Sequence, residues 1–306
     1  MNSSNVRGEP RALGVALLLQ LLLYLLQSLV LMGAESVFPS QTAVKMLSLF
    51  TVTAVFMLPT ALYLRMTGVS LRDIFRMKHR ESGKGEGGWL RQAVFFVFAA
   101  AIILNAANLA GMATDAVTAA LGISLPDNTP SSDTSMLILN LISSVLLAPF
   151  LEELLFRGVV MDALRGESAE ARCLISGLLF GLMHYELYRF FYAFVAGTLI
   201  AYFALNAGSL RFAVGLHAVN NLITFISSLA GEAFDIAVLA VSLPIAVICA
   251  VLILKKRGEK AAPGKADGES VAAEVGNAKR GEVSEAVGIV IYCTMALTLT
   301  VLSAFL

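Results

Sequence analysis

Charged residues are scarce in this 306-residue chain. They make up 14% of the sequence against 58% apolar residues, and the mean hydropathy is +0.79. Soluble domains contain about 45–50% apolar residues and about 25% charged ones. These proportions exclude a soluble globular protein. The predicted fold class is all-α, a polytopic transmembrane helical bundle.

Cysteines are also few, and none has the spacing of a metal ligand. Cys173, Cys249 and Cys293 all lie in apolar segments, where a free thiol behaves as a small apolar side chain. The sequence has no His-Glu-x-x-His zinc helix and no Gly-x-Ser-x-Gly turn. It also lacks a pair of aspartates within the apolar segments. These absences set aside the membrane proteases that depend on those motifs.

Apolar runs of bilayer length recur along the whole chain, since about 20 such residues cross the hydrocarbon core as a helix. We predict about eight core spans and a candidate ninth at the C-terminus. The spans are placed at 12–32, 43–64, 93–114, 136–164, 173–185, 190–206, 212–230, 236–254 and 286–306. The corresponding divisions are N-terminal spans at 1–134, a core at 135–254, a flexible linker at 255–285 and an extra helix at 286–306.

Basic and acidic loops alternate between these spans. Residues 65–91 carry seven Lys or Arg against three acids, residues 255–285 also carry seven Lys or Arg, and residues 115–135 have three aspartates and no base. Basic loops are retained in the cytoplasm. We therefore predict that 65–91, 255–285 and the N-terminus are cytoplasmic, that 115–135 is external, and that the chain resides in the cell membrane.

Ionisable residues inside the predicted spans are the main functional signal. Glu152, Glu153 and Arg157 fall within seven apolar-flanked residues, and each such group costs about 2.5–3.5 kcal/mol or more at bilayer depth. Such residues are therefore expected to pair with one another, to line a hydrated cavity or to take part in a reaction. Later spans add two histidines and an asparagine. The candidate site residues are Glu152, Glu153, Arg157, His184, His217 and Asn221.

Spacing and depth predict that these residues converge. Each motif contains a pair at i,i+4, whose members share one helix face. Counting about 1.5 Å per residue from the predicted cytoplasmic ends puts the polar groups about 8–18 Å deep.

Pro149 is expected to free the carbonyl of Val145 one turn before the carboxylates. Small residues four apart predict close packing of the fifth and sixth spans: Gly177 and Gly181, then Ala193, Gly197 and Ala201.

Three motifs follow one another in order on successive apolar segments: Glu152-Glu153-x-x-x-Arg157, Phe180-x-x-x-His184 and His217-x-x-x-Asn221. Together they resemble the CAAX-processing and bacteriocin-processing family of intramembrane proteases, also called the Abi family. The resemblance covers about 136–230, under a third of the chain. It implies an eight-helix core and an intramembrane endopeptidase.

The resemblance also implies roles for the site residues. Glu152 with His184 would hold and deprotonate a water molecule, and His217 with Asn221 would stabilise the oxyanion. An ion pair between Glu153 and Arg157 would orient Glu152. The implied partners are the lipid bilayer and a protein or peptide substrate in or at the membrane, with no nucleic acid.

The same residues suit other chemistries. Glu152, His184 and His217 could hold a catalytic zinc, although we expect no cofactor to be required. A proton-coupled transporter uses buried Glu and His as a relay. A non-enzymatic membrane scaffold is the third alternative, and it would work without Glu152.

Overall fold

The computed structural model describes residues 9–77, 89–123, 133–261 and 287–302. Within these ranges the chain is helical apart from turns and caps, and no strand occurs there. Seven helices in the same ranges are long and apolar enough to cross a membrane. The protein is thus a multi-pass all-α bundle, which confirms the predicted fold class.

The helices follow the apolar runs of the sequence. In chain order they are α1 (Pro10–Val37), α2 (Gln41–Thr67), α3 (Leu71–Arg76), α4 (Trp89–Ala120), α5 (Thr134–Ala163), α6 (Ala169–Leu182), α7 (Leu187–Ala207), α8 (Leu210–Ala230), α9 (Glu232–Ala261) and α10 (Val287–Leu302).

Caps fix the ends of the helices that position the site. The Ser168 hydroxyl accepts a hydrogen bond from the N–H of Ala171 and begins α6, as serine does at many helix N-termini. Gly208 ends α7 with φ of 66°, a left-handed conformation that glycine adopts without steric cost. The chain therefore reverses within two residues and enters α8 directly.

Two predicted boundaries differ from the structure. The fifth predicted span is α6, which has only 14 residues and rises about 21 Å, less than the hydrocarbon thickness of about 30 Å. It ends inside the bundle and is not among the seven spans found in the described ranges. The predicted linker at 255–285 begins later, because α9 continues to Ala261. The rest of that linker lies outside the described residues.

Helix α5 is not a regular α-helix. Residues Ile142–Leu147 and Leu154–Val160 are wound as π-helix and flank an ordinary turn at Ala148–Glu153. Such π segments often occur at functional sites because they change which side chains share a face. The two adjacent glutamates lie at the end of that ordinary turn.

Helices α6 and α7 pack with their backbones nearly in contact. A Cβ atom on Gly177 would lie 2.7 Å from the backbone nitrogen of Thr198, and one on Gly181 would lie 3.0 Å from the carbonyl oxygen of Phe190. A Cβ on Gly197 would lie 3.3 Å from the Cα of Gly177. The predicted small-residue interface is confirmed, and it brings the C-terminal half of α6 against α7.

The start of α1, the end of α2 and the end of α5 meet at one end of the bundle. The N–H of Glu9 donates to the carbonyl of Ala163 at 2.9 Å. The Tyr63 hydroxyl donates to Oδ2 of Asp162 at 2.7 Å. The predicted alternation of the spans places these three helix ends on the same side of the membrane, as observed here. The cytoplasmic location of this end stays a prediction. Residues 78–88 of the loop predicted on this side, and residues 124–132 of the loop predicted on the opposite side, lie outside the described residues.

Candidate active site

A buried ion pair on α5 lies at the centre of the site. Nη1 of Arg157 is 3.1 Å from Oε1 of Glu153, and both side chains are fully buried. Nη2 of Arg157 donates to the carbonyl of Gly197 at 2.8 Å, and the guanidinium lies 4.5 Å from the ring centroid of Phe180. The predicted i,i+4 pair is present, and α6 and α7 hold it in place.

Glu153 has a second partner that the sequence did not indicate. Nδ1 of His217 lies 2.8 Å from Oε1 of Glu153. A carboxylate accepts hydrogen bonds, so Nδ1 carries a proton. Nε2 of the same ring then points to the other carboxylate, 3.8 Å from Oε2 of Glu152. His217 on α8 therefore bridges the two adjacent glutamates of α5.

The two carboxylates occupy different environments. The Glu153 side chain is fully buried, whereas 14% of the Glu152 side chain is exposed. Consecutive helical residues point about 100° apart, which separates the two groups. Glu152 is therefore the carboxylate with access to a small polar molecule, and Glu153 is enclosed by Arg157 and His217.

His184 lies just past the last residue of α6. Its Nδ1 is 2.9 Å from the carbonyl oxygen of Phe180, so Nδ1 is the donor and a neutral ring keeps its lone pair on Nε2. The Phe180 ring lies 5.1 Å from the His184 ring and 5.5 Å from the His217 ring, between centroids. Within the described part of the chain, no hydrogen bond or ion pair joins Glu152 to His184.

Asn221 links α8 to α5 next to the carboxylates. Its Nδ2 donates to the carbonyl of Ser144 at 2.8 Å. In the π segment of α5, the N–H of Ala148 bonds to the carbonyl of Ser143, five residues back. The next N–H would be that of Pro149, which has none.

The carbonyl that lacks a backbone partner is therefore that of Ser144. The predicted Val145 is off by one residue because the prediction assumed an α-helical register. One hydrogen of the Asn221 amide is used by this carbonyl. An amide carries two. The second amide hydrogen has no hydrogen-bond partner among the described residues.

Several contributors to the site were missed by the motif analysis. The Gly197 carbonyl binds Arg157, the Ser176 hydroxyl donates to the carbonyl of Phe156 at 3.0 Å, and Nδ2 of Asn220 donates to the Tyr192 hydroxyl at 2.7 Å. The small-residue pattern marked Gly197 for packing only. Hydrogen bonds between side chains of different spans leave no periodic signal in the sequence.

The predicted zinc set is not gathered as ligands. Among the described residues, no group of three or more His, Cys, Asp or Glu side chains could hold a metal ion. Nδ1 of His217 faces Glu153, and Nδ1 of His184 faces a backbone carbonyl. The arrangement provides acids, bases and hydrogen-bond donors for chemistry on a polar substrate.

A small, partly open cavity lies behind the ion pair, between α3 and α5, with Arg157, Asp162 and Arg172 in its wall. Ile74 of α3 closes part of it, since a Cβ on Gly158 would lie 2.6 Å from Cγ2 of Ile74. The two glutamates do not line this cavity. It therefore reaches the site only at Arg157.

Comparison with known proteins agrees with this geometry. Residues 134–223, from the start of α5 to the second half of α8, match a family model described as Type II CAAX prenyl endopeptidase Rce1-like. No curated protein and no solved structure matches the chain. All six candidate site residues lie within the matched segment. This match covers less than half of the chain, and it supports a CAAX-type peptide hydrolase domain within a multi-pass membrane protein.

Proposed function

We propose that the site hydrolyses a peptide bond of a membrane-associated protein or peptide with a water molecule activated by Glu152 and His184. The observation that carries this proposal is the Glu152–His217–Glu153 arrangement, in which one imidazole lies 2.8 Å from one carboxylate and 3.8 Å from the other. This arrangement offers a base and an oxyanion donor side by side.

Charge balance supports these roles. Two carboxylates and the Arg157 guanidinium sum to one negative charge, which an apolar environment disfavours strongly. One additional proton makes the cluster neutral. That proton can reside on Nε2 of His217 or on Glu152, whose atoms are 3.8 Å apart. A proton that two groups can share is what general acid–base catalysis uses.

The reaction then proceeds in balanced steps. With the shared proton on His217, Glu152 accepts one proton of the water as its oxygen attacks the carbonyl carbon, and Nε2 of His184 accepts a hydrogen bond from the other. The N–H of His217 and the second amide N–H of Asn221 stabilise the tetrahedral oxyanion, a contribution of about 2.7–4 kcal/mol per donor. Protonated Glu152 returns its proton to the departing amine, which leaves an acid and an amine.

Glu153 and Arg157 act by orientation in this mechanism. The carboxylate of Glu153 holds the proton of His217 on Nδ1 and so aims Nε2 at the reacting groups. Arg157 compensates the buried carboxylate. No metal is required in this scheme. We propose the cell membrane as the site of action, with the N-terminus in the cytoplasm.

The test compares membranes of cells that produce the wild-type protein, Glu152→Gln or Glu35→Gln. Glu35 is an exposed carboxylate on α1 and serves as the matched control. Sequencing of new protein N-termini should reveal products with the wild type and Glu35→Gln that are missing with Glu152→Gln. The uncleaved substrates should co-purify with Glu152→Gln and be cleaved by purified wild-type protein.

Identical N-termini with all three proteins would reject the catalytic role of Glu152. If deletion of the protein causes a cellular defect that Glu152→Gln corrects fully, and no variant cleaves any protein, the site has a scaffold function.

A further inference from the structure

Helix α10 lies outside the family match but packs directly on α1. A Cβ atom on Gly14 would lie 2.9 Å from the Cα of Gly288, and one on Gly288 would lie 2.8 Å from the Cα of Gly14. The two backbones are therefore in contact, as in membrane helix pairs that associate through small residues. Helix α10 also contacts α6 and α7. Its position is fixed against the half of the bundle that carries His184.

Tyr292 is the side chain that α10 inserts into the bundle. It lies one turn beyond Gly288 and is fully buried, with Ala296 and Thr300 continuing the same face. A buried tyrosine hydroxyl ordinarily finds a hydrogen-bond partner. The hydroxyl of Tyr292 is close enough to that of Tyr185 for an electrostatic interaction, but among the described residues it has no partner with hydrogen-bond geometry.

Two further residues, Tyr24 and Gln20, hold Tyr185 in place. Its ring lies 4.2 Å from that of Tyr24, between centroids, and its hydroxyl donates to Oε1 of Gln20 at 3.1 Å. Gln20 is itself only 1% exposed. Tyr185 has φ of 54°, a left-handed conformation that a bulky residue rarely adopts. Such a conformation persists only where surrounding contacts impose it.

The residue before Tyr185 is His184, so the tyrosine determines where the histidine backbone turns. The N–H of His184 bonds to the carbonyl of Gly181 at 3.2 Å, and that of Tyr185 bonds to the carbonyl of Leu182 at 3.1 Å. This tight turn stops α6 and leaves the imidazole folded back on the Phe180 carbonyl. Release of Tyr185 would let the turn relax and move the ring.

We infer that Gln20 and Tyr292 are positioning residues, which hold Tyr185 in its left-handed conformation and thereby aim His184 into the site. Helix α10 would then be part of the active enzyme. The position of His184 is inferred from these contacts and does not depend on the proposed function. The effect of that position on catalysis rests on the proposed function.

The chain has three histidines, so histidine-labelled protein gives three imidazole signals that nuclear magnetic resonance can follow in detergent. Signals are assigned with His79→Asn, His184→Asn and His217→Asn. Tyr292→Phe removes one hydroxyl and should shift the His184 resonances and their titration midpoint while leaving His217 unchanged. Tyr202→Phe, at a tyrosine that is 39% exposed on α7, should leave both unchanged. Unchanged His184 signals in Tyr292→Phe, or equal shifts of all three, would overturn the inference.

A second variant displaces the helix instead of the hydroxyl. Gly288→Leu should separate α10 from α1 and cause the same His184 shift, while Thr294→Val on the exposed face of α10 should not.

With a substrate identified by trapping, Tyr292→Phe should lower kcat about fivefold, the equivalent of one ordinary hydrogen bond, with little change in KM. An active His184→Asn would reject the proposed function but not the positioning of His184, since the spectra decide that separately.

Discussion

His217 and Glu153 are joined across two helices, with Nδ1 of the imidazole 2.8 Å from Oε1 of the carboxylate. The same oxygen lies 3.1 Å from Nη1 of Arg157. Glu153 therefore binds one cation on its own helix and one potential cation on α8. Among the residues that the structure describes, the one ionic contact of Glu152 is with His217, at 3.8 Å. We therefore expect Glu153 to contribute more to the stability of the fold than the adjacent Glu152.

We expect Glu152→Gln to abolish cleavage with little change in thermal stability in detergent, because it removes a charge that is costly to bury. Glu153→Gln should lower stability as well as activity, since it leaves Arg157 buried without its counter-charge, at a cost of about 3–5 kcal/mol. Melting curves and cleavage of a trapped substrate by both purified variants measure the difference. A stable but inactive Glu153→Gln beside an active Glu152→Gln would reverse the two roles.

We also predict that activity does not depend on metal. The proposed mechanism uses Glu152 as base and His217 as oxyanion donor, and neither role needs a Lewis acid. Active protein should keep its cleavage rate after prolonged dialysis against a chelator, with metal content followed by elemental analysis. Stoichiometric zinc, together with activity that is lost to the chelator and restored by zinc, would instead make Glu152, His184 and His217 ligands.

The membrane orientation can be tested at two exposed leucines. Leu71 begins α3 and is 48% exposed, and Leu121 follows α4 and is 68% exposed. Basic loops are retained inside, so an impermeant thiol reagent applied to intact cells should label Leu121→Cys and reach Leu71→Cys only after permeabilisation. Both variants are made in a background in which the three native cysteines are replaced by alanine. The opposite pattern would place the site in the other half of the bilayer.

The sequence predicted side-chain pairs within one helix better than contacts between helices. Motif spacing identified Glu153 with Arg157 because an i,i+4 pair is a local property of one helix. It could not identify the bond of Glu153 to His217, which depends on the placement of α8 beside α5. Hydropathy likewise located the helices but counted α6 as a membrane span, although its 14 residues stop just before the turn that carries His184. A non-glycine residue with positive φ at Tyr185 has no signature in composition or periodicity.

Close packing of α6 on α7 should tolerate no methyl group at Gly197. A Cβ there would lie 2.8 Å from Cδ1 of Phe180 and 3.1 Å from Nη2 of Arg157, and overpacking of this kind costs about 1–3 kcal/mol. Gly197→Ala should therefore lower the melting temperature and the cleavage rate together. Gly33→Ala is the control, because nothing lies within 4 Å of its added Cβ. Equal melting temperatures for both variants would contradict the packing.

The link between Asn221 and Pro149 makes a prediction that only the π register of α5 supports. Asn221→Ala removes the donor to the half-buried Ser144 carbonyl. Leaving an acceptor without a partner costs about 1–3 kcal/mol when it is fully buried, and we expect a cost near the lower end here. Pro149→Ala restores a backbone N–H five residues after Ser144, where the π register directs it to the same carbonyl.

The cost of Asn221→Ala should therefore be smaller by about 1 kcal/mol in the Pro149→Ala background, a coupling that a double-mutant cycle of unfolding free energies measures. Asn206→Ala supplies the matched control, because its Nδ2 also donates to a carbonyl at 2.8 Å, that of Tyr202 in its own helix. Its cost should be the same with Pro149 or alanine. An unchanged cost of Asn221→Ala in the Pro149→Ala background would show that Asn221 does not bind the carbonyl freed by the proline. The π register would then not explain why this amide lies beside the carboxylates.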